Sequence, residues 1–305
     1  MGSLKIKIGA DPELFVREKS SGRLVSAHDL LPGTKIKPHK VTYGAVQVDG
    51  VAAEFNIQPC QTAGDFYSVI QQVTGQLQSI LGEKYELVTS PVGVFNPEYF
   101  KALPKEVTEL GCNPDWNAWT GQVNPKPDGD STTMRTASGH VHIGWTDDAD
   151  VTSQSHFDDC RLVARQMDYY LGIASLLWDP DNRRRSMYGK AGCFRVKPYG
   201  AEYRTMSNMW LTSAPITKWV FNAAHRAMNM IIKGETVAED EFGDLAQKII
   251  DNNETDWASK HKKLKYIFTN AGIPNPPIPD PDAEKIVKAV MNSLTGKQSS
   301  ANHQY

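Results

Sequence analysis

Gly139-His-Val-His-Ile-Gly144 alternates imidazole and branched apolar side chains with period two. That period belongs to a β-strand, with Val141 and Ile143 on one face and His140 and His142 on the other. The apolar face calls for a core, so the imidazole face is left for chemistry. Two further segments place polar residues two positions apart: Asp11/Glu13 in Gly9-Ala-Asp-Pro-Glu-Leu-Phe15, and Glu202/Arg204 in Gly200-Ala-Glu-Tyr-Arg204. A fourth, Asp49-Gly-Val-Ala-Ala-Glu-Phe-Asn56, carries Glu54 inside an apolar strand, with Asp49 at the turn before it. Charges on faces otherwise suited to burial need partners or a metal.

Each pair taken singly has an ordinary explanation. Asp11/Glu13 could be a solvated strand face, Glu202/Arg204 a structural ion pair, and one of the histidines a hydrogen-bonded core residue. Together, acidic groups plus imidazole make the mostly oxygen shell suited to Mg2+ or Mn2+. The cation-rich run from Arg183 to Lys197, with Gly189 and Gly192 inside it, suits a polyphosphate. A solvated basic loop or an RNA-binding patch would have the same composition. Neither a P-loop nor a Gly-x-Gly-x-x-Gly pattern occurs in the chain.

Outward from these motifs, residues 4–58 read as strands and turns, with Asp49-Gly50 as a tight hairpin. From Thr62 to Gly82, helical spacing gathers Phe66, Val69, Ile70, Val73, Leu77, Ile80 and Leu81 on one face, which should lie on a sheet. Tyr85–Val94 is strand-like. Asn96 to Thr136 reads as a long irregular stretch rich in Pro, Gly, Asn and Trp, and a stretch of that length is a substrate-side candidate. Within it, the Asn113–Trp119 loop offers Trp116 and Trp119 as substrate contacts, or merely as pins that hold the loop down. Phe157–Trp178 reads as a helix, Arg183–Gly192 as a basic loop, Cys193–Met206 as a hairpin, and Pro215 as a helix start. After Gly234 the pattern is helical, with Pro274–Pro281 a stiff linker and Ala283–Leu294 a short amphipathic helix. The expected architecture is an α+β domain over residues 1–234, a helical appendage over 235–297 and a disordered tail over 298–305.

Composition narrows the function classes. With 305 residues the chain can bury a large core without disulfides. Lys and Arg number 33 against 35 Asp and Glu, so no global field would hold it on nucleic acid or an anionic membrane. The cysteines at 60, 112, 160 and 193 form no Cys-x-x-Cys pair and read as reduced thiols. The longest apolar stretches are too short to cross a bilayer, and the N-terminus lacks the apolar core of a signal peptide, so a cytoplasmic location is expected.

The four motifs, the last running Gly200-Ala-Glu-Tyr-Arg-Thr-Met-Ser-Asn-Met-Trp210, make residues 5–215 resemble the carboxylate-amine ligases of the glutamine synthetase and glutamate-cysteine ligase superfamily. Within it the chain is similar to the phage-encoded COOH-NH2 ligase type 2, or amidoligase, group. The resemblance implies a curved, mostly antiparallel sheet of the glutamine synthetase catalytic type with packed helices. Its concave face would hold ATP and two or three Mg2+ or Mn2+ ions. Asp11, Glu13, Glu54, His140 and Glu202 fall at metal-ligand positions, and His142 at a phosphate-side position. Arg204 falls where an arginine steadies the transferred phosphoryl group, making Glu202 and Arg204 the catalytic pair. Arg185, Lys190 and Arg195 become candidates for phosphate contacts.

The activity so implied is the ATP-dependent joining of a carboxylate to an amine through an acyl phosphate, in the host cytoplasm if the gene is a phage's. Small molecules or peptides would supply the carboxylate and amine, with a modified nucleic acid as another carrier and no role for a membrane. The superfamily includes dimers and large rings, which brings a homo-oligomer within range. Two rival readings use the same residues: a metal-dependent hydrolase built on the acidic and histidine cluster, or a noncatalytic nucleotide- or nucleic-acid-binding protein built on Arg183–Lys197. The chain departs from the family pattern at Gly200, where glutamine synthetases carry an arginine, and in the short spacing of Asp49 to Glu54. Pro12 splits the first acidic pair and calls for an edge or bulge position.

Overall fold

Twelve strands occur among the residues that the computed structural model describes, which are 5–109, 115–126, 132–237, 242–270 and 274–277. Ten of them form one open sheet, along which β3 (His39–Val41), β4 (Gly44–Asp49), β5 (Ala52–Ile57), β1 (Lys7–Glu18), β10 (Gly139–Gly144), β12 (Gly200–Tyr203), β11 (Cys193–Lys197) and β8 (Trp116–Asn117) follow in that order. β2 (Leu24–Val25) and β6 (Tyr85–Val88) pair with the distal half of β1, while β7 (Val92–Val94) and β9 (Met134–Thr136) form a separate pair. The ladders joining these strands are antiparallel.

Alternation decides which face is which. Ile8, Ala10, Val141, Ile143, Ala201, Tyr203 and Phe194 are buried in the main core. Their neighbours Asp11, Glu13, His140, His142, Glu202 and Arg204 lie on the opposite face, as period two requires. Helices α1 (Ala63–Leu81), α4 (Gln154–Met167) and α7 (Ala214–Ile232) cover the apolar face. The spacing in α1 works as read: Thr62 caps its N-terminus through Asp65 N–H, Gly82 ends it at φ 76°, and Phe66, Val69, Ile70, Val73, Leu77 and Leu81 are buried. Each such side chain contributes about 1.5–3 kcal/mol by leaving water. On the open face a smaller cluster of Phe15, Leu24, Val51, Phe95, Phe100 and Val107 stands beyond Glu13, built partly from the short helices α2 (Pro97–Ala102) and α3 (Lys105–Thr108).

Several sequence expectations are corrected. Residues 96–136 are not one irregular loop, since α2, α3, β8 and β9 lie within them. Helix α4 begins at Gln154, ahead of Phe157, and gives way to a π-helical turn at Asp168–Gly172 and to α5 (Ile173–Ser175). The basic loop contains a helix, α6 (Asn182–Met187), because Asp181 accepts from Arg183 N–H and caps it. Pro12 sits inside a central strand, at the point where pairing with β10 ends at Gly139 and pairing with β5 begins at Glu13. Its missing N–H falls at this changeover, so neither an edge nor a bulge is needed. The Ala283–Leu294 helix, the 298–305 tail, Cys112 and the first residues of the Asn113–Trp119 loop lie outside the described residues.

Residues 242–270 are helical as expected, and they pack into the main core through Ile249, Ile250, Trp257, Leu264, Ile267 and Phe268. No helix among the described residues is long and apolar enough to cross a membrane.

Candidate active site

Strand register assembles the polar row. Asp11 stands opposite His140, His142 opposite Glu202, and Glu202 also opposite Arg195 on the far side. Glu54 stands opposite Glu13 on one side and Gln47 on the other. The four sequence motifs therefore meet on one face, although as many as 195 positions separate residues held together there, as when Asn208 Nδ2 donates to the Glu13 carbonyl.

At the centre, Asp11 Oδ1 lies 3.1 Å from His140 Nδ1 and 3.0 Å from His142 Nε2. Glu202, almost fully buried, gathers cations: Lys197 Nζ is 2.7 Å from Oε2, Arg195 Nη1 is 3.8 Å from Oε1, and Arg204 Nη1 donates to Oε1. Arg204 is itself oriented by Nε donation to Asp115 Oδ2 at 2.9 Å, and its Nη1 lies 3.2 Å from His140 Nδ1. Tyr199 closes the group, with its hydroxyl 2.7 Å from His142 Nδ1 and its ring stacked on the imidazole.

These contacts split the row electrostatically. Burial pushes the Asp11 carboxyl up, but the charges of His142 and His140 outweigh it and hold Asp11 well below the usual range. Burial and Asp11 likewise raise Glu202, yet Arg204 and the histidines bring it down to about 2. His140, buried and beside Arg204, falls to about 4, whereas for His142 the Asp11 charge overcomes burial and the shift is upward. The other half holds protons. Burial, then Asp49, lifts Glu13 to about 7, while burial followed by Asp11, Asp49 and Glu13 lifts Glu54 well above the carboxylate range. Two carboxylates directly opposite in a ladder repel. Here Gln47 donates to Glu54 at 2.8 Å, Ser138 N–H to Glu13 at 2.8 Å, and Lys35 pairs with Asp49 at 2.6 Å.

A divalent cation fits this donor set. One ligand atom each from Asp11, His142 and Glu202 lies within 4.8 Å of the others, and oxygen-rich ligation with one imidazole matches Mg2+ or Mn2+. His142 Nε2 is shielded from solvent and makes no aligned hydrogen bond, which leaves it available as a ligand. It is thus His142, expected beside phosphate, that completes this cluster, while His140 Nδ1 faces Asp11 and Arg204. Glu13 and Glu54 adjoin the cluster on the proton-holding side.

Other expected residues are placed differently. Arg195 flanks Glu202, but Arg185 is held in a buried pair with Asp179 (3.3 Å) and donates to Asn253, and Lys190 is exposed with its charge acting on Asp251. Trp116 lines a cleft of about 830 Å3 with Arg161, Arg195 and Lys197. Trp119 instead donates to buried Asp168 at 2.6 Å and packs on Tyr169. Asp11, Glu54, His142, Lys35 and Tyr199 line a second pocket, of about 480 Å3. Sequence reasoning missed Tyr199, Asp115, Lys35 and Gln47. Only Lys197, at the end of the basic run, carried a signal.

Residues 136–246 match the family model described as phage phiEco32-like COOH.NH2 ligase-type 2, the group that the sequence motifs resemble. The matched span carries both histidines, Arg195, Lys197, Glu202 and Arg204, whereas Asp11, Glu13 and Glu54 lie ahead of it. Among solved structures the chain is similar to a bifunctional glutathione synthetase from Pasteurella multocida, at 12% identity and a TM-score of 0.45, covering 96% of this chain and 47% of that one. The chain thus spans about half the length of that protein. No curated protein matches the sequence.

Proposed function

We propose that the protein is an ATP-dependent ligase that joins a carboxylate to an amine through an acyl phosphate. The observation that carries this reading is the Asp11–His142–Glu202 cluster, flanked by Arg195, Lys197 and Arg204 on one open sheet face. Its second half falls in the span that matches a carboxylate-amine ligase family. A carboxylate resists attack by an amine because oxide is a poor leaving group. Transfer of the γ-phosphoryl group onto it substitutes phosphate as the leaving group, and the amine then displaces that phosphate.

In this reading Asp11, Glu202 and His142 hold Mg2+ or Mn2+, with Glu13, Glu54 and His140 as further ligands for a second or third ion. The metal, when bound, neutralises phosphate charge and polarises the phosphoryl group. Arg204, fixed by Asp115 and Glu202, presents its guanidinium to the oxygens of the transferring group, where charge builds up. Arg195 and Lys197, both within 4 Å of Glu202, would supply the cations for the remaining phosphate oxygens. The sheet is then of the glutamine synthetase catalytic type. The substrates are small molecules or peptides, and the protein is a phage product acting in the host cytoplasm.

The test is ADP and phosphate release with Mg2+ and ATP, screened against amino acids and host metabolites with product masses recorded. Condensation products that require ATP support the ligase. Substrate turnover without ATP would mark a hydrolase, and absence of ATP turnover with every pair would overturn the proposal.

A further inference from the structure

His142 differs from His140 in what stands behind it. His140 Nδ1 is shared between Asp11 and the Arg204 guanidinium, whereas His142 Nδ1 meets the Tyr199 hydroxyl at 2.7 Å and leaves Nε2 toward Asp11 and Glu202. The Tyr199 ring lies 5.7 Å from the imidazole, centre to centre, at an interplanar angle of 12°. Neither partner can drift. His142 is locked between Gly9 and Glu202 in the sheet, and the Tyr199 carbonyl accepts from Trp145 N–H at 3.0 Å and Thr146 N–H at 3.2 Å. Pro198 precedes it, and Gly200 follows at φ 145°, where a Cβ would stand 2.2 Å from the Ile143 carbonyl oxygen.

A neutral imidazole has one N–H and one lone pair, and a metal can bind only the nitrogen with the lone pair. If the phenol accepts from Nδ1–H, the lone pair sits on Nε2, facing the cluster. If it donates to Nδ1, Nε2 carries the proton and is closed to a cation. The metal reading selects the first arrangement, and the 2.7 Å contact is short enough to hold it. Partners of this kind fix the tautomer and ring orientation of a metal-ligating histidine and typically are worth about 10–100-fold in metal affinity.

We propose that Tyr199 is a positioning residue for His142, accepting its Nδ1–H and backing its ring so that Nε2 is aimed at the metal held with Asp11 and Glu202. The inference rests on the metal-binding part of the proposed function and adds a residue that no motif marked. Tyr199→Phe keeps the stacked ring and removes only the hydrogen-bonding atom.

The experiment compares full-length wild type, Tyr199→Phe and His142→Asn. It measures Mn2+ affinity by electron paramagnetic resonance, the 14N modulation of bound Mn2+ as a signature of imidazole ligation, and melting temperature without metal. The expected result is about a 10–100-fold weaker Mn2+ affinity in Tyr199→Phe, with altered 14N modulation and a metal-free melting temperature like that of wild type. A merely structural tyrosine would lower the melting temperature and leave affinity and modulation alone. Wild-type Mn2+ affinity in Tyr199→Phe overturns the inference even where His142→Asn loses the ion. If His142→Asn keeps both affinity and modulation, His142 is no ligand and the inference falls with it. If wild type itself binds no Mn2+, the metal reading of the site fails as well.

Discussion

Glu202 shows how one buried carboxylate organises several cations. Arg204 donates to it through Nη1 while Nε is bound to Asp115, so a single planar group joins two acids, Glu202 in β12 and Asp115 just ahead of β8, and fixes its own direction. A lysine reaches one of them at most. Arg204→Lys is therefore expected to retain the fold but lose on the order of a hundredfold or more in ATP turnover, the scale of removing a preorganised donor, as ADP release would measure. Glu13 makes a prediction of the opposite electrostatic kind. Its folded pKa of about 7 lies above the ordinary 4.5, so the folded protein holds more protons than the unfolded chain between those values. Stability then falls as pH rises through that window. Glu13→Gln is neutral throughout and keeps an acceptor for Ser138 N–H. It should raise the metal-free melting temperature at pH 8 by roughly a few degrees and reduce the gain on acidification to pH 5. Melting curves in EDTA from pH 5 to 8 check it, and identical pH profiles for the two proteins would refute it. The acidic and histidine residues were legible because period-two spacing placed each pair on one face. Tyr199 and Asp115 were not, because they reach His142 and Arg204 across 57 and 89 positions, and no local period reports a contact set by strand register.

Among the elements, β10 and α1 carry glycines of opposite meaning. A Cβ on Gly139 would stand 2.3 Å from the Ser207 carbonyl oxygen and 2.4 Å from Trp210 Nε1, which donates to the Gly139 carbonyl. Backbone must move, and it is the strand bearing His140 and His142 that moves. Gly139→Ala should destabilise the protein by about 1–3 kcal/mol, the usual range for overpacking, and weaken Mn2+ binding with it. Gly75 lies exposed inside α1 with nothing within 4 Å of a Cβ. Gly75→Ala should stabilise by about 0.5–1 kcal/mol through lower backbone entropy in the unfolded chain. Denaturant melts of both variants decide, and a neutral Gly139→Ala would contradict the close packing of β10. Both elements were readable because periodicity and caps agree within them. Helix α6 was not: glycines and clustered arginines near it suggested a loop, whereas the Asp181 cap starts a helix whose Arg184 and Arg185 are buried. Local charge tells that a segment is polar. It does not tell whether a guanidinium faces solvent or a buried carbonyl, as Arg184 does in donating to the Thr205 carbonyl.

At the scale of the molecule, the chain beyond Gly234 bears directly on whether the site survives. The sequence pattern reads as a helical appendage, and none of the four motifs lies there. Yet Ile249, Ile250, Trp257, Leu264, Ile267 and Phe268 enter the same core that supports the sheet. Phe268 packs edge-on against Tyr170 and Trp219, Tyr169 donates to the Gly243 carbonyl, and Asp251 accepts from Ala191 N–H just ahead of β11. Six buried apolar side chains at about 1.5–3 kcal/mol each amount to roughly 10 kcal/mol or more, even after discounting for a compact unfolded state. That is comparable with the whole stability of an ordinary domain, about 5–15 kcal/mol. Truncation after Gly234 is therefore expected to yield a chain without a cooperative melt, exposing Tyr170 and Trp219 and losing Mn2+ binding as a consequence of unfolding. Trp257→Ala tests the same point within the full chain. It should cost about 3–5 kcal/mol and lower the melting temperature while leaving the Mn2+ affinity of the folded fraction unchanged, because Trp257 packs on Phe268 in the core, whereas the cluster residues lie on the sheet's opposite face. A truncated protein that melts cooperatively near the wild-type temperature and binds Mn2+ would show instead that residues 1–234 hold the site by themselves.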